Sequence, residues 1–263
     1  EFSAWTGVCA ECWAQLEPWR GLTCSGCGLP ATPLFTQRPS GLCDLCQQGA
    51  YSFDFARCLT AYSGPARTLI HQLKFRRRER LALALGSALA TPAGNGPFRQ
   101  LIGFARKSGT GAGPNQAGQV TLLLVPVPLH PARERERGFN QAEQIARRFA
   151  SKAGRLDPTV RIELNARGLR RIRATPPQTG LDFRARQENV RNSFQADGKD
   201  RFRNRIVLLI DDVMTTGATA SACARELKKA GAQKVMVLTV ARAARGMTEM
   251  PKAPRPAVDD EGA

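Results

Sequence analysis

The stretch Ile206 to Gly231, IVLLIDDVMTTGATASACARELKKAG, constrains this chain more than any other. Ile206 to Ile210 is a short aliphatic run without polar alternation, the pattern of a strand buried on both faces. The adjacent carboxylates Asp211 and Asp212 are expected to end it. Small residues follow, Thr215-Thr216-Gly217-Ala218-Thr219. After them Ala220, Cys223, Ala224, Leu227 and Ala230 recur at helical spacing, with Gly231 at the place of a C-terminal cap. A second apolar run, Val235 to Val240, comes next. Strand, helix and strand with short connections predict a parallel βαβ unit, and hence an α/β fold with a parallel sheet flanked by helices.

A loop of small residues opening a helix turns backbone N–H groups toward a common point, where the helix dipole adds partial positive charge. Threonine hydroxyls supply further donors, so such a loop suits a phosphate monoester. Carboxylates at a strand's carboxyl end lie on the ligand side of an open α/β sheet. As pure acceptors they suit sugar hydroxyls or a hydrated Mg²⁺. A phosphorylated sugar fits both halves. GxxxxGK[ST] is absent, which excludes the ATP-type loop.

The first fifty residues have a different character. Cys24-x2-Cys27 and Cys43-x2-Cys46 are separated by fifteen residues, the spacing of a zinc ribbon holding Zn²⁺ on four thiolates. Such a metal can fold a segment too poor in apolar residues to fold alone. Cys9-x2-Cys12 forms one more knuckle, a second and incomplete metal site. Two readings of it stay open: a partner knuckle upstream of Glu1, or a pairing with Cys24 and Cys27 across eleven residues. Cys58 and Cys223 stand alone on apolar stretches, as small core residues do.

The net charge of +17 is uneven. Residues 1–50 hold two Arg against four acids, so the rest carries an excess of 19. It gathers in Arg76-Arg77-Arg78 with Arg80, in Arg133, Arg135 and Arg137, and from Arg161 to Arg205. A polyanion surface and solvated faces both fit this pattern. Few aromatics accompany the Arg runs, so base stacking is expected to be minor. No run of about 18 apolar residues occurs, which excludes a membrane-spanning helix. The chain opens at Glu1 without a charged and apolar leader, and is expected to be partial and cytoplasmic.

Between these poles, Phe53 to Tyr62 reads as a strand. Ala66, Leu69, Ile70 and Leu73 form one helical face, and Leu81, Leu85, Ala88 and Leu89 another. His71 reads as a helix-face residue. Thr91 to Gln119 is expected to be irregular, with Lys107 to Gly118 a mobile insertion. Thr121 to Val125 is a second buried strand running into Pro126-Val127-Pro128. The alternating Arg and Glu after it, ending at Arg137, read as a flexible flap. A helix with inner face Phe139, Ala142, Ala146 and Phe149 follows.

VLLIDDVMTTGA (207–218) resembles the phosphoribosyl-pyrophosphate motif of type I phosphoribosyltransferases. HQLKF (71–75), VPVPLHPARERERGFNQAEQIA (125–146) and LRRIRATPPQTGLDFRARQENVRNSF (169–194), behind cysteine knuckles, resemble the ComF family, with its GntX-like relatives linked to gluconate uptake. The resemblance implies a type I phosphoribosyltransferase fold behind a double zinc ribbon whose first CxxC is missing here. The domains implied are a ribbon at 1–50, a transferase-like domain at 51–245 and a disordered tail at 246–263. It further implies a cytoplasmic role with single-stranded DNA during transformation, alongside other competence proteins and without membrane insertion. In the site so implied, Asp211 and Asp212 take the ribose hydroxyls. Val213, Thr215, Thr216, Gly217, Ala218 and Thr219 hold the 5-phosphate. Pro126, Val127 and Pro128 form the pyrophosphate loop, and Arg137 with Mg²⁺ neutralises pyrophosphate. Two classes of function follow: a Mg²⁺-dependent phosphoribosyltransferase, or a non-catalytic nucleic-acid or nucleotide-binding module that has kept the phosphate cradle.

Overall fold

The computed structural model describes residues 8–14, 16, 19, 21–30, 38–76, 78–91, 96–108, 119–175 and 183–243. Its centre is a five-stranded parallel sheet in the order β1-β7-β6-β2-β3. These strands are β1 (Phe55–Ala61), β2 (Val120–Pro126), β3 (Val160–Leu164), β6 (Ile206–Met214) and β7 (Lys234–Arg242). A small antiparallel pair, β4 (Leu169–Arg171) and β5 (Phe194–Ala196), lies apart from it. β6 and β7 are apolar along most of their length because both of their faces are covered.

One face is covered by α3 (Gly64–Phe75), α4 (Arg80–Ala90), α5 (Pro97–Lys107) and α7 (Gln141–Leu156). Ile206, Leu208 and Ile210 of β6 point into this layer. The other face is covered by α9 (Ala218–Lys229), the β4–β5 pair and three of the cysteines, and receives Val207 and Leu209. Shorter helices are α1 (Ala10–Ala14), α2 (Asp44–Gln47), α6 (Pro131–Arg137) and α8 (Phe183–Asn189). α3 buries Ala66, Leu69, Ile70 and Leu73, the face its spacing predicts. α9 closes as expected at Gly231, whose N–H donates to Lys228 O (2.9 Å) while Ala232 N–H donates to Leu227 O (3.0 Å).

Three expectations are changed by the structure. The strand at 206 does not stop before the acid pair; it runs to Met214, paired with β7 as far as Met214↔Arg242. Within Thr91–Gln119 stands a full helix, α5, burying Phe98, Leu101, Ile102 and Ala105. Those four sit at i, i+3, i+4 and i+7, so the periodic signal was present between the Gly- and Pro-rich flanks. Residues 109–118 of the expected insertion, the segment around 176–182 and the tail from 244 lie outside the described residues. The Arg–Glu stretch expected as a flexible flap is helix α6, capped by His130, whose Nδ1 accepts from Ala132 N–H (3.3 Å), and ended by Gly138. The cysteine segment packs against the sheet: Cys24, Cys27 and Cys43 share one buried cluster with Val125, Leu209, Cys223 and Val237.

Candidate functional site

Because successive strand residues point to opposite faces, the two acids of β6 diverge. Asp212 faces α3, where the Lys74 ammonium lies 2.9 Å from its Oδ1. Asp212 is 2% exposed, and its Oδ2 has no hydrogen-bond partner among the described residues. Burial works against the Lys74 ammonium, but the charge and hydrogen bond of Asp212, with Asp211 behind it, outweigh that and hold its pKa above the ordinary lysine value. Asp211 faces the other way, into a small cavity lined by Thr215, Gly217, Ala218, Thr219 and Thr239. Its Oδ1 accepts from the Asp212 N–H (2.8 Å). Burial first, and the Asp212 charge second, push its carboxyl up to about 7, against the pull of Lys74.

The loop from Thr215 to Thr219 opens α9. Gly217 is its N-cap with φ +80°, a left-handed conformation that favours glycine. A Cβ there would also stand 2.9 Å from the Tyr51 ring, so the loop is packed as well as turned. Ala218 N–H donates to Thr216 Oγ1 (3.4 Å), and Arg186 reaches Thr215 Oγ1 with Nη1 (3.1 Å). Val213 stands one residue beyond the acid pair on β6 and also lines the cavity. The loop, Val213 and Asp211 are thus brought together as the sequence predicts.

Pro126, Val127 and Pro128 leave β2 beside β6. Val127 N–H donates to Ile210 O (2.9 Å), and the buried Asn140 donates Nδ2–H to Val127 O (3.1 Å) while capping α7 through Ala142 N–H (3.0 Å). RGFNQ therefore ties the proline loop to the helix behind it. Arg137 is half-buried at the end of α6, donating Nη1–H to Gln141 Oε1 (3.0 Å). It lies within the field of Asp212 and Asp211, with its guanidinium 5.5 Å from the Phe75 ring centre.

The sulfurs of Cys24, Cys27, Cys43 and Cys46 all lie within 4.8 Å of one another. At a tetrahedral zinc with bonds of about 2.3 Å, sulfurs sit about 3.8 Å apart, so four thiolates so placed fit the ion. Cys43 N–H donates to Cys24 Sγ (3.3 Å), and a Cβ on Gly26 would stand 3.1 Å from Cys46 Sγ. Hydrogen bonds from the other three thiols pull Cys24 well below the ordinary thiol range; Cys24 in turn pushes Cys27 and Cys46 up. Crowding of that kind is relieved by a cation among the sulfurs. Cys9 and Cys12 stay apart as a local pair, Cys12 N–H donating to Cys9 Sγ (3.4 Å), so the pairing of these two with Cys24 and Cys27 is not the one formed.

The cluster touches the rest of the site through residues that sequence reading missed. Arg242, the last residue of β7, is 2% exposed and its Nη2 lies 3.7 Å from Cys27 Sγ. Its Nε and Nη1 are buried without a hydrogen-bond partner among the described residues. Burial pushes the Tyr51 phenol up from the ordinary range, opposed by the charge and hydrogen bond of Arg242. The Tyr51 ring is the one that packs on Gly217. Cysteine cluster, Arg242, Tyr51 and the loop from Thr215 to Thr219 are thus in series. Lys74 and Arg171 were missed as well. Arg171 reaches toward Asp211 from β4, and its charge is among those felt by that carboxyl. HQLKF and the Arg-rich segment contain both residues, but only as a family signature.

Comparison with known proteins agrees. Residues 136–255 match the phosphoribosyl transferase domain. Over 236 residues, 90% of this chain and 90% of the relative, the sequence is 32% identical to DNA utilization protein YhgH of Salmonella typhimurium. The Escherichia coli K12 protein of that name is 30% identical over the same length. Competence protein F of Haemophilus influenzae is 34% identical over 121 residues, 46% of this chain and 50% of that protein.

Proposed function

The chain belongs to the ComF family of phosphoribosyltransferase-like proteins, and on that premise we propose that it binds phosphoribosyl pyrophosphate with Mg²⁺ and serves the handling of single-stranded DNA in the cytoplasm. The observation that carries this reading is the Asp212 Oδ2, a buried acceptor without a partner among the described residues, one residue from a carboxylate that shares a cavity with a helix N-terminal loop. An acceptor so placed suits a sugar hydroxyl or a metal-bound water.

In this reading Asp211 and Asp212 orient the ribose. The N–H groups and hydroxyls of Thr215, Thr216, Gly217, Ala218 and Thr219 hold the 5-phosphate. Arg137, together with the turn at Pro126-Val127-Pro128, faces the pyrophosphate. Mg²⁺ would be held by the Asp211 and Asp212 carboxylates and would supply the remaining charge neutralisation. Transfer of the phosphoribosyl group then needs no protein nucleophile. Orientation and charge stabilisation of the departing pyrophosphate are sufficient, and both are provided by fixed groups. Zn²⁺ on Cys24, Cys27, Cys43 and Cys46 is structural. The relatives' names speak of DNA utilization and competence, and the net charge of +17 suits a polyanion.

Replacing Asp211 and Asp212 together by Asn removes two charged acceptors at constant size. Hydrogen bonds to charged groups contribute roughly 1.5–3 kcal/mol each, so affinity for phosphoribosyl pyrophosphate should fall by about two orders of magnitude or more. Calorimetric binding by the double variant equal to that of the parent would overturn the site. Pyrophosphate release, measured with and without single-stranded DNA, separates transferase from binding module.

A further inference from the structure

We propose that the exposed face of α3, ending at Phe75, is where single-stranded DNA lays its bases beside the acid pair; this rests on the DNA reading above. α3 turns its apolar row to the sheet. Its outer residues Arg67, Thr68, His71 and Gln72, continued by Arg76, line an open groove in which no acid takes part. At the end of that groove Phe75 is 58% exposed. Single exposed apolar residues are ordinary, and the surroundings set this one apart. The His71 ring lies against it with centres 4.7 Å apart and planes tilted by 41°. The Arg137 guanidinium stands 5.5 Å from its centre. Its chain neighbour Lys74 is the residue bound to Asp212. An aromatic surface is therefore held next to the candidate site by an ion pair that fixes the end of the helix.

Single strands are bound by a cationic track for the phosphates combined with aromatic rings on which bases stack. Both components are present here within one helix and its first following residue. Duplex DNA keeps its base faces stacked inside and cannot use Phe75 in this way. The expectation of minor stacking, drawn from the scarcity of aromatics among the Arg runs, is replaced by one ring placed at the end of a track.

The test is the affinity of the full chain for a fluorescent oligothymidylate and for a duplex of equal length, across a salt series. Phe75→Ala, at an exposed position, should weaken single-strand binding by roughly five- to a hundredfold while leaving the salt slope unchanged, since no phosphate contact is lost. Phe75→Trp should bind at least as well as the parent. Arg67→Gln and Arg76→Gln should each reduce the slope by about 0.7. If Phe75→Ala binds the single strand within twofold of the parent, or loses the duplex equally, the surface is not a stacking site. If the parent itself binds no single strand at low salt, the DNA reading falls first and this surface falls with it.

Discussion

The two faces of β6 hold their carboxylates in opposite ways. On the α3 side Asp212 has a lysine ammonium 2.9 Å away and is fixed before any ligand arrives. On the α9 side Asp211 is pushed up to about 7, by burial and by Asp212, and no cation is bonded to it among the described residues. That second face is also the one that carries the loop from Thr215 to Thr219 and the cysteine cluster. Neighbouring residues of one type, one strand step apart, thus become a carboxylate already paired with a lysine and a carboxylate that a cationic or hydroxyl-bearing ligand completes. The difference lies in which helix each faces.

The largest effect should come from breaking the cysteine face. Chelation of zinc, or Cys24→Ser, should abolish stoichiometric zinc in metal analysis. Since zinc on such ligands contributes on the order of 10 kcal/mol in small domains, thermal unfolding of the whole chain should move down markedly. Loss confined to the N-terminal fifty residues, with an unchanged main transition, would show that the shared buried cluster does not couple the two. Breaking the other face is the next largest. Lys74→Met leaves Asp212 buried without its cation and should cost about 3–5 kcal/mol in denaturant unfolding. Adding Asp212→Asn should recover most of that loss. A fully additive pair would mean the ion pair does not act as a unit.

The smallest effect sharpens the comparison through pH. A carboxyl whose pKa is raised in the folded chain contributes stability fully below its ordinary value of 3.8 and loses it as pH rises through about 7. The ligand-free parent should therefore lose more stability than Asp211→Asn between about pH 5 and about pH 8. Affinity for phosphoribosyl pyrophosphate should run the other way, rising as Asp211 ionises through about 7, and Asp211→Asn should flatten the rise. Parallel stability profiles for parent and variant would place the raised carboxyl elsewhere.

Much of the site was legible because its signals are local. The hydroxyl loop, the acid pair and Gly231 lie within one βαβ stretch, and the cysteine spacing is read from four positions. What escaped depends on contacts between elements. The divergence of Asp211 and Asp212 follows from strand continuation to Met214, which two acids disguise as a strand end. Lys74 stands beside the Arg76–Arg78 run and so reads as part of a solvated cationic stretch, yet its neighbours on α3 turn it inward. Arg242 reaches Cys27 only because β7 pairs with both β1 and β6, a relation between residues 215 positions apart. α5 was hidden by the turn-forming residues on either side of it.

The strand order carries one consequence for how the chain comes into being. β7 is the last of the described strands to be synthesised, yet it lies between β1 and β6 in the finished sheet. Until it emerges, β1 has no neighbour to join among the described strands, and the knuckles bonded to β1 through Ala56 N–H to Gly26 O (2.9 Å) share that wait. The nascent chain must therefore hold β1 in reserve until residues 234–242 are made. Such long-range closure is slow and leaves an open strand edge for its duration. A chain released before residue 234 would lose the keystone between its first strand and the rest of the sheet, rather than a dispensable margin.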